Sequence, residues 1–329
     1  MAVLGPFEEA DVDEAAQLFV DNYNLLLGHY PAIPTTLSNH NTVSGMLGKL
    51  IATNPAVVAR EEKTGRLLGY MVGFSQVPHL KGSSLGAYVP EWGHAVASGE
   101  DKERLYYDLY SAIADKWVAD KCLTHLITFY AHDTVLKSLL FDLSFGLLVI
   151  DALAPLNTPG TRKKASLVVR EATDQDLPVI RWLDHALEDH LSTTPVFLHV
   201  GPNEATDDDL REEYLGSGVK TFLAEEGDPP EVVGGIRAML HKGPGCASLQ
   251  GEGTLGINFA FTQPSVREKG VAGELLGHLM AWGREHQMRR CAVDFESQNL
   301  SAKKFWMKVF DPICYSCIRK VDERTTTPK

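Results

Sequence analysis

The sequence predicts a mixed α/β protein made of two tandem domains on one plan. Strand-like and helix-like segments alternate along all 329 residues, and 44% hydrophobic content is enough for two cores. A polar, turn-rich stretch from Asn157 to Lys164 divides the chain into domains 1–156 and 165–329, with 157–164 as linker. Each half repeats one order of elements, βααββ followed by αβαβ.

In the first half, Ala2 to Phe7 reads as a strand. Asp11 to Leu27 reads as a helix with Ala15, Leu18, Phe19, Tyr23 and Leu26 on one face. Pro31 and Pro34 mark a loop before a second helix, Val43 to Ile51. Ala56 to Glu61 and Leu67 to Phe74 form a hairpin about Lys63, Thr64 and Gly65. Gly86 to Val96 is expected as one further strand. Asp101 to Ala119 is a helix on the spacing of Leu105, Leu109, Ile113 and Trp117. Leu126 to Tyr130, Thr134 to Leu143 and Gly146 to Leu153 then read as strand, helix and strand.

Leu167 to Arg170 opens the second half as a strand. Thr173 to Asp176 supplies a helix cap, and the helix runs to about Glu188 with Pro178 tolerated in its first turn. Thr206 to Tyr214 is an acidic helix whose Asp207, Asp208 and Asp209 favour the positive end of the helix dipole. The wider run Glu204 to Glu213 could also attract a cationic amine. Lys220 to Glu225 and Val232 to Leu240 are strands about Gly227, Asp228, Pro229 and Pro230.

From Gly253 to Phe310 the pattern carries chemistry. Thr254 to Thr262 mixes β-branched and aromatic residues between Gly253 and Pro264, a strand ending at a turn. Arg267, Glu268, Lys269, Gly270, Val271 and Ala272 lead into a helix in which Val271, Leu275, Leu276, Leu279 and Met280 recur at helical spacing. A strand that delivers a glycine loop to a helix start leaves backbone N–H groups unpaired, with the positive end of the dipole behind them. That geometry suits a pyrophosphate. Gly270 permits close backbone approach, Ala272 keeps the first turn small, and Arg267 can make a charge-assisted bond to a phosphate. A second strand, Cys291 to Glu296, follows, and then Asn299-x-x-Ala302-x-x-Phe305.

This order resembles the GCN5-related N-acetyltransferase (GNAT) family, whose R/Q-x-x-G-x-G/A loop cradles the pyrophosphate of acetyl-CoA. Its N-x-x-A-x-x-L/F-Y segment lies beside the pantetheine arm. The resemblance implies two tandem domains, each a twisted mixed, mostly antiparallel sheet flanked by helices, with acetyl-CoA as co-substrate. It implies that Phe259, Ala260, Phe261 and Thr262 pair with pantetheine and that Arg267, Glu268, Lys269, Gly270, Val271 and Ala272 take the pyrophosphate. Asn299, Ala302, Phe305 and Trp306 would lie along the arm. For the base that neutralises the acceptor amine, Asp294 matches a family glutamate, and Glu296 is the same-face alternative.

The sequence departs from the family at Trp306, which stands where a tyrosine is usual. An indole N–H is a poor proton donor to a thiolate. Tyr315, if the fold brings it round, or water is left for that role, and Trp306 is expected as a packed aromatic. At the equivalent place the first half has Val96 to Arg104, without the glycine pattern. Its Glu100, Asp101 and Glu103 would repel a pyrophosphate. The first half is therefore expected to be a degenerate copy that buttresses the second or shapes the acceptor cleft. The expected activity is acetylation of a primary amine on a small molecule or peptide by the second domain. The alternative is an acyl-CoA-binding sensor or scaffold whose chemistry has been lost.

Composition bounds the rest. The formal charge of −12, with neither half basic, disfavours a broad nucleic-acid or anionic-membrane surface. No apolar run reaches about eighteen residues, and the N-terminus lacks a signal pattern, so a cytoplasmic protein is expected, as monomer or homodimer. Five cysteines form no dense even framework, which fits a reducing compartment. Cys314 and Cys317 have the C-x-x-C form, but no second pair at metal spacing accompanies them, and residues three apart on a strand face opposite sides. His185, His190, His199 and His241 likewise lack metal spacing and are expected as surface or packing residues, so no metal is implied. A dinucleotide oxidoreductase is disfavoured because no G-x-G-x-x-G with an acidic ribose partner occurs.

Overall fold

Helices begin where a short polar side chain can take the first unpaired N–H groups. Asn39, Asp101, Asp133, Thr206 and Asn299 each accept from the backbone N–H three residues on. The computed structural model describes residues 1–156, 167–199, 201 and 205–326. The expected linker, 157–164, and Glu204 lie outside the described residues. Contacts divide the chain into two units. The first comprises Met1–Ile150, Cys246–Ser248 and Pro312–Lys329, and the second Asp151–Gly245 and Leu249–Asp311.

The first unit contains β1 (Ala2–Pro6), α1 (Val12–His29), α2 (His40–Ile51), β2 (Ala56–Glu61), β3 (Leu67–Val72), β4 (Phe74–Val77), β5 (Leu85–Val89) and β6 (His94–Val96). It continues with α3 (Lys102–Ala119), β7 (Cys122–Tyr130) and α4 (Thr134–Asp142), and β8 (Gly146–Pro155) belongs to it as far as Ile150. One sheet has the order β1-β2-β3-β6. A second row runs β4-β5-β7, with β5 and β7 parallel from Leu85↔Cys122 to Val89↔Ile127. The expected single strand Gly86 to Val96 is thus two strands in different sheets. Pro90 has no N–H to give a ladder, and Gly93 packs so close to Val72 that a Cβ would come 2.5 Å from its carbonyl oxygen.

The second unit contains β9 (Leu167–Glu171), α5 (Leu177–Ser192), α6 (Asp207–Leu215), β10 (Val219–Glu226), β11 (Glu231–Leu240), β12 (Thr254–Thr262), α7 (Val271–Glu285), β13 (Arg290–Glu296) and α8 (Leu300–Trp306). Its strands run β13-β12-β11-β10-β9, antiparallel except for the parallel pair β12 and β13. Leu177, Ile180 and Leu183 of α5 pack with Leu210 and Tyr214 of α6 on Leu223, Phe259 and Phe261. Burying such side chains is the main favourable contribution to the unit.

One element departs from the sequence-order domains. The last strand, β14 (Asp311–Lys320), pairs antiparallel with β7 from Cys314↔Tyr130 to Lys320↔Thr124. Residues from Pro312 onward therefore belong to the first unit rather than to a domain spanning 165–329. A strand pattern records which residues are extended but not which neighbour receives their hydrogen bonds. Among the described residues no helix is long and apolar enough to cross a membrane.

Candidate active site

The site of the second unit starts from one extra residue. β11 pairs with β12 as Arg237↔Phe259 and then Ala238↔Ile257, so Asn258 is bulged out of the ladder. On the other side of β12 the parallel ladder with β13 runs from Thr254↔Arg290 to Ile257↔Val293 and ends there. The bulge coincides with the end of pairing because an extra residue bends the strand and raises its twist. Beyond it, Phe259 to Thr262 remain paired with β11 alone. Phe259 and Phe261 turn their rings into the core, which leaves the main chain of this stretch as the polar surface on the β13 side.

The loop after β12 is built for a helix start. Pro264 to Val266 make one tight turn, Glu268 and Gly270 have left-handed φ values of 64° and 92°, and Gly270 caps α7. Glu274 N–H donates to Gly270 O at 3.1 Å as the first helical bond. Val271 and Ala272 lie ahead of it, where a helix leaves its amides without intrahelical acceptors.

A cleft of about 360 Å³ opens beside this loop, lined by Trp182, Ala186, Asp189 and His190 of α5 and by Phe261, Gln263, Pro264 and Arg267. Arg267 is half-buried. Its Nε donates to Thr262 O at 3.2 Å, and its guanidinium lies 5.7 Å from the Phe261 ring. Among the described residues no carboxylate lies within ion-pair distance of it, and burial lowers its pKa. A guanidinium held partly out of water without an anion is a receptor for one. Burial, together with the charge of Arg267, also lowers the pKa of His190, which favours the neutral ring. That ring lies 6.5 Å from Phe261.

The other expected residues divide into groups. Asp294 and Glu296 lie on β13 past its last pair with β12, Asp294 exposed and Glu296 half-buried. Asn299 caps α8: its Oδ1 accepts from Ala302 N at 3.2 Å and from Ser301 Oγ at 2.8 Å. Trp306 is buried, with its ring 4.7 Å from that of Phe305 and 5.5 Å from that of Phe310. Tyr315 lies on a different element from these residues. It lies on β14 in the first unit, with its ring 6.1 Å from Phe129, 5.5 Å from Lys137 Nζ, and its hydroxyl pKa raised chiefly by burial.

The acidic run on α6 is engaged within the unit. Arg181 pairs with Asp207, Arg211 with Asp208, the Thr206 hydroxyl and N–H with Asp209, and Arg237 with Glu213. These partners favour the capped helix start over an amine-attracting patch. His190 and Trp182 were not singled out for the site from sequence. The signal was present, since 182, 186, 189 and 190 recur at the spacing of one helical face.

At the corresponding place in the first unit, β6 is followed by Glu100, which pairs with Arg66, and by Asp101, which caps α3. His94 bridges β6 and β7, with Nε2 2.9 Å from Thr128 O and Nδ1 3.1 Å from the Tyr106 hydroxyl.

Comparison with known proteins bears on the fold. Residues 183–311 match the model of the acetyltransferase (GNAT) family. Among solved structures, a GCN5-related N-acetyltransferase from Sphaerobacter thermophilus is similar at a TM-score of 0.55 and 13% identity, over 97% of this chain and 95% of that one. A GCN5-related glucosamine N-acetyltransferase region of a fungal multi-domain GH3 β-N-acetylglucosaminidase is similar at a TM-score of 0.53 and 12% identity. That match covers 97% of this chain and 38% of that one. At these identities the likeness carries the fold, which is of the GNAT type. No curated protein matches the chain by sequence.

Proposed function

We propose that the protein is an acetyl-CoA-dependent N-acetyltransferase whose second unit holds the co-substrate and acetylates a primary amine on a small molecule or peptide. The observation that carries this reading is Arg267: a half-buried guanidinium with no carboxylate partner among the described residues, in a cleft beside the opened pair β12 and β13. Acetyl-CoA, when bound, supplies an acyl group activated as a thioester.

The chain's own residues have the following roles in this reading. Arg267 neutralises phosphate charge, and the loop Glu268, Lys269, Gly270, Val271 and Ala272 presents amides at the positive end of α7. The main chain of Phe259, Ala260, Phe261 and Thr262 offers the pairing that β13 has given up. Asp294, or Glu296 on the same strand, takes the proton of the acceptor ammonium, directly or through water. His190, neutral in the cleft, is a further acceptor for that proton. The first unit is read as a degenerate copy: its equivalent helix start is acidic, and His94 links β6 to β7.

A second reading, an acyl-CoA-binding sensor or scaffold, is favoured by one observation. Trp306 is packed between Phe305 and Phe310, so α8 brings no tyrosine hydroxyl to a leaving thiolate. Calorimetric titration with acetyl-CoA tests the shared part of both readings. Release of free CoA across an amine panel that includes glucosamine and peptide N-termini separates them. No heat of binding would reject both, and binding without amine-dependent CoA release would leave the sensor.

A further inference from the structure

The first unit holds a group of side chains that acetyl transfer does not use. Glu91 lies in the turn between β5 and β6, Cys246 in the short stretch Cys246–Ser248, and Cys314 on β14, all within that unit. The Glu91 carboxylate and the two sulfurs lie within 4.8 Å of one another. All three residues are buried, at 1%, 5% and 0% exposure. Glu91 Oε1 accepts from Ser248 N at 2.7 Å and from Ser248 Oγ at 2.9 Å. Its Oε2 is equally buried and has no hydrogen-bond partner. A buried carboxylate oxygen left unmatched is costly unless a cation meets it.

We propose that Glu91, Cys246 and Cys314 bind a zinc ion. Two sulfurs with one carboxylate oxygen form a mixed soft and borderline donor set that suits tetrahedral zinc. Zinc takes sulfur at about 2.3 Å and oxygen at about 2.0–2.2 Å, so neighbouring ligand atoms stand about 3.5–3.8 Å apart. The three groups reach that spacing by closing at most about 1 Å. A water completes the tetrahedron, and binding releases the thiol protons to solvent. Ser248 orients the set, holding the carboxylate through Oε1 and leaving Oε2 for the ion. The ion would tie the turn after β5, the Cys246–Ser248 stretch and β14 together inside one unit.

The C-x-x-C spacing is not the ligand pair. Cys317, three residues beyond Cys314, packs in the apolar core with Ile113, Ile127 and Phe129. The second sulfur comes instead from a separate segment of chain, which no spacing rule on β14 can find.

Full-length protein prepared in zinc and dialysed against metal-free buffer is assayed for metal by plasma mass spectrometry, then exchanged with Co²⁺ and read by absorption. About one metal per chain is expected, with a sulfur-to-cobalt charge-transfer band and the strong visible bands of tetrahedral Co²⁺. Cys246→Ser and Cys314→Ser should each remove part of the charge-transfer band and weaken Co²⁺ binding by about tenfold or more. Cys122→Ser and Cys317→Ser should change neither. Glu91→Gln keeps an acceptor for Ser248 and should weaken Co²⁺ binding to the same degree. Absence of the band in the parent protein, or its full persistence in Cys246→Ser or Cys314→Ser, overturns the proposal. Should the cysteine variants fail to fold, Glu91→Gln decides, and an unchanged Co²⁺ affinity overturns it.

Discussion

Arg237 Nε donates to Asn258 Oδ1 at 2.9 Å, so the one residue that β12 carries in excess of β11 is tied to a buried guanidinium. The same guanidinium lies 4.0 Å over the Tyr214 ring, and its Nη1 is 2.7 Å from Glu213 Oε1, an ion pair whose angle makes no hydrogen bond. Tyr214 donates to Asp184 and meets Phe259 edge-on at 5.4 Å. α5, α6, β11 and β12 are therefore held at the point where β12 parts from β13.

Arg237→Met removes the charge while keeping much of the volume. Glu213 and Asn258 are exposed and regain water, so the loss is the bond to Asn258 and the stacking on Tyr214. The expected destabilisation is about 2–3 kcal/mol in urea unfolding. Asn258→Ala should cost about 1 kcal/mol.

Arg267→Gln should weaken acetyl-CoA binding by about tenfold to a hundredfold, the worth of a charge-assisted bond. Its stability cost should stay within about 0.5 kcal/mol, because the side chain's contacts are one carbonyl and one ring. Calorimetry and denaturant titration read the two effects separately, and equal affinity in the variant would remove Arg267 from the phosphate site.

Gly270 stands at φ 92°, and a Cβ there would meet nothing within 4 Å. Gly270→Ala should therefore cost about 1–2 kcal/mol through backbone strain alone. Gly270→Asp carries the same strain and adds a negative charge at the loop. It should bind acetyl-CoA about fivefold less tightly than the alanine variant, as a charge of about 1 kcal/mol requires. Equal affinities would place the pyrophosphate elsewhere.

His125 gives the first unit an acid-sensitive core. Nε2–H donates to Cys122 O at 3.0 Å, Nδ1 accepts from the Tyr110 hydroxyl at 2.8 Å, and burial pushes the pKa from 6.5 to about 4. The unfolded chain then takes up the proton first. The stability contributed by the neutral ring is complete above about pH 6.5 and is lost as the pH falls toward about 4. Unfolding free energy should drop by about 3 kcal/mol over that window, at 1.36 kcal/mol per pKa unit. Burial lowers the His94 pKa too, which adds a loss of the same sign. A His125→Gln variant should show the shallower pH slope in denaturant titrations at pH 7, 5.5 and 4.

Asn299→Ala removes the α8 cap and should cost about 1 kcal/mol. If capping is its whole role, acetyl-CoA affinity should change less than about threefold, since α8 is held by Trp306 as well. A larger loss in calorimetry would give the side chain a direct part in holding the pantetheine arm.

The legible parts of the fold were those settled by near neighbours. The turn at Pro264, the left-handed Gly270 and the apolar stripe of α7 all sit within one stretch, and the loop was read from them. Asn258 carries no local mark of a bulge, because the side chain that meets it comes from β11. Gly86 to Val96 reads as one extended run, and only the packing of Gly93 against Val72 divides it. Cys314 drew notice for its spacing to Cys317, whereas its neighbours in space come from Glu91 and Cys246. His190 reads as a surface or packing histidine in sequence, and only the fold shows that its helical face lines a cleft.

Because β14 completes the row beside β7, the first unit is finished only when residues 311–320 have been synthesised. A polypeptide ending at Asp311 would keep the whole GNAT-matched segment and still strip β7 of its partner from Thr124 to Tyr130. The main-chain groups uncovered there would form an open edge that recruits strands from other molecules. Truncation before β14 would then be felt first as self-association of the N-terminal half, before any loss at the loop from Arg267 to Ala272.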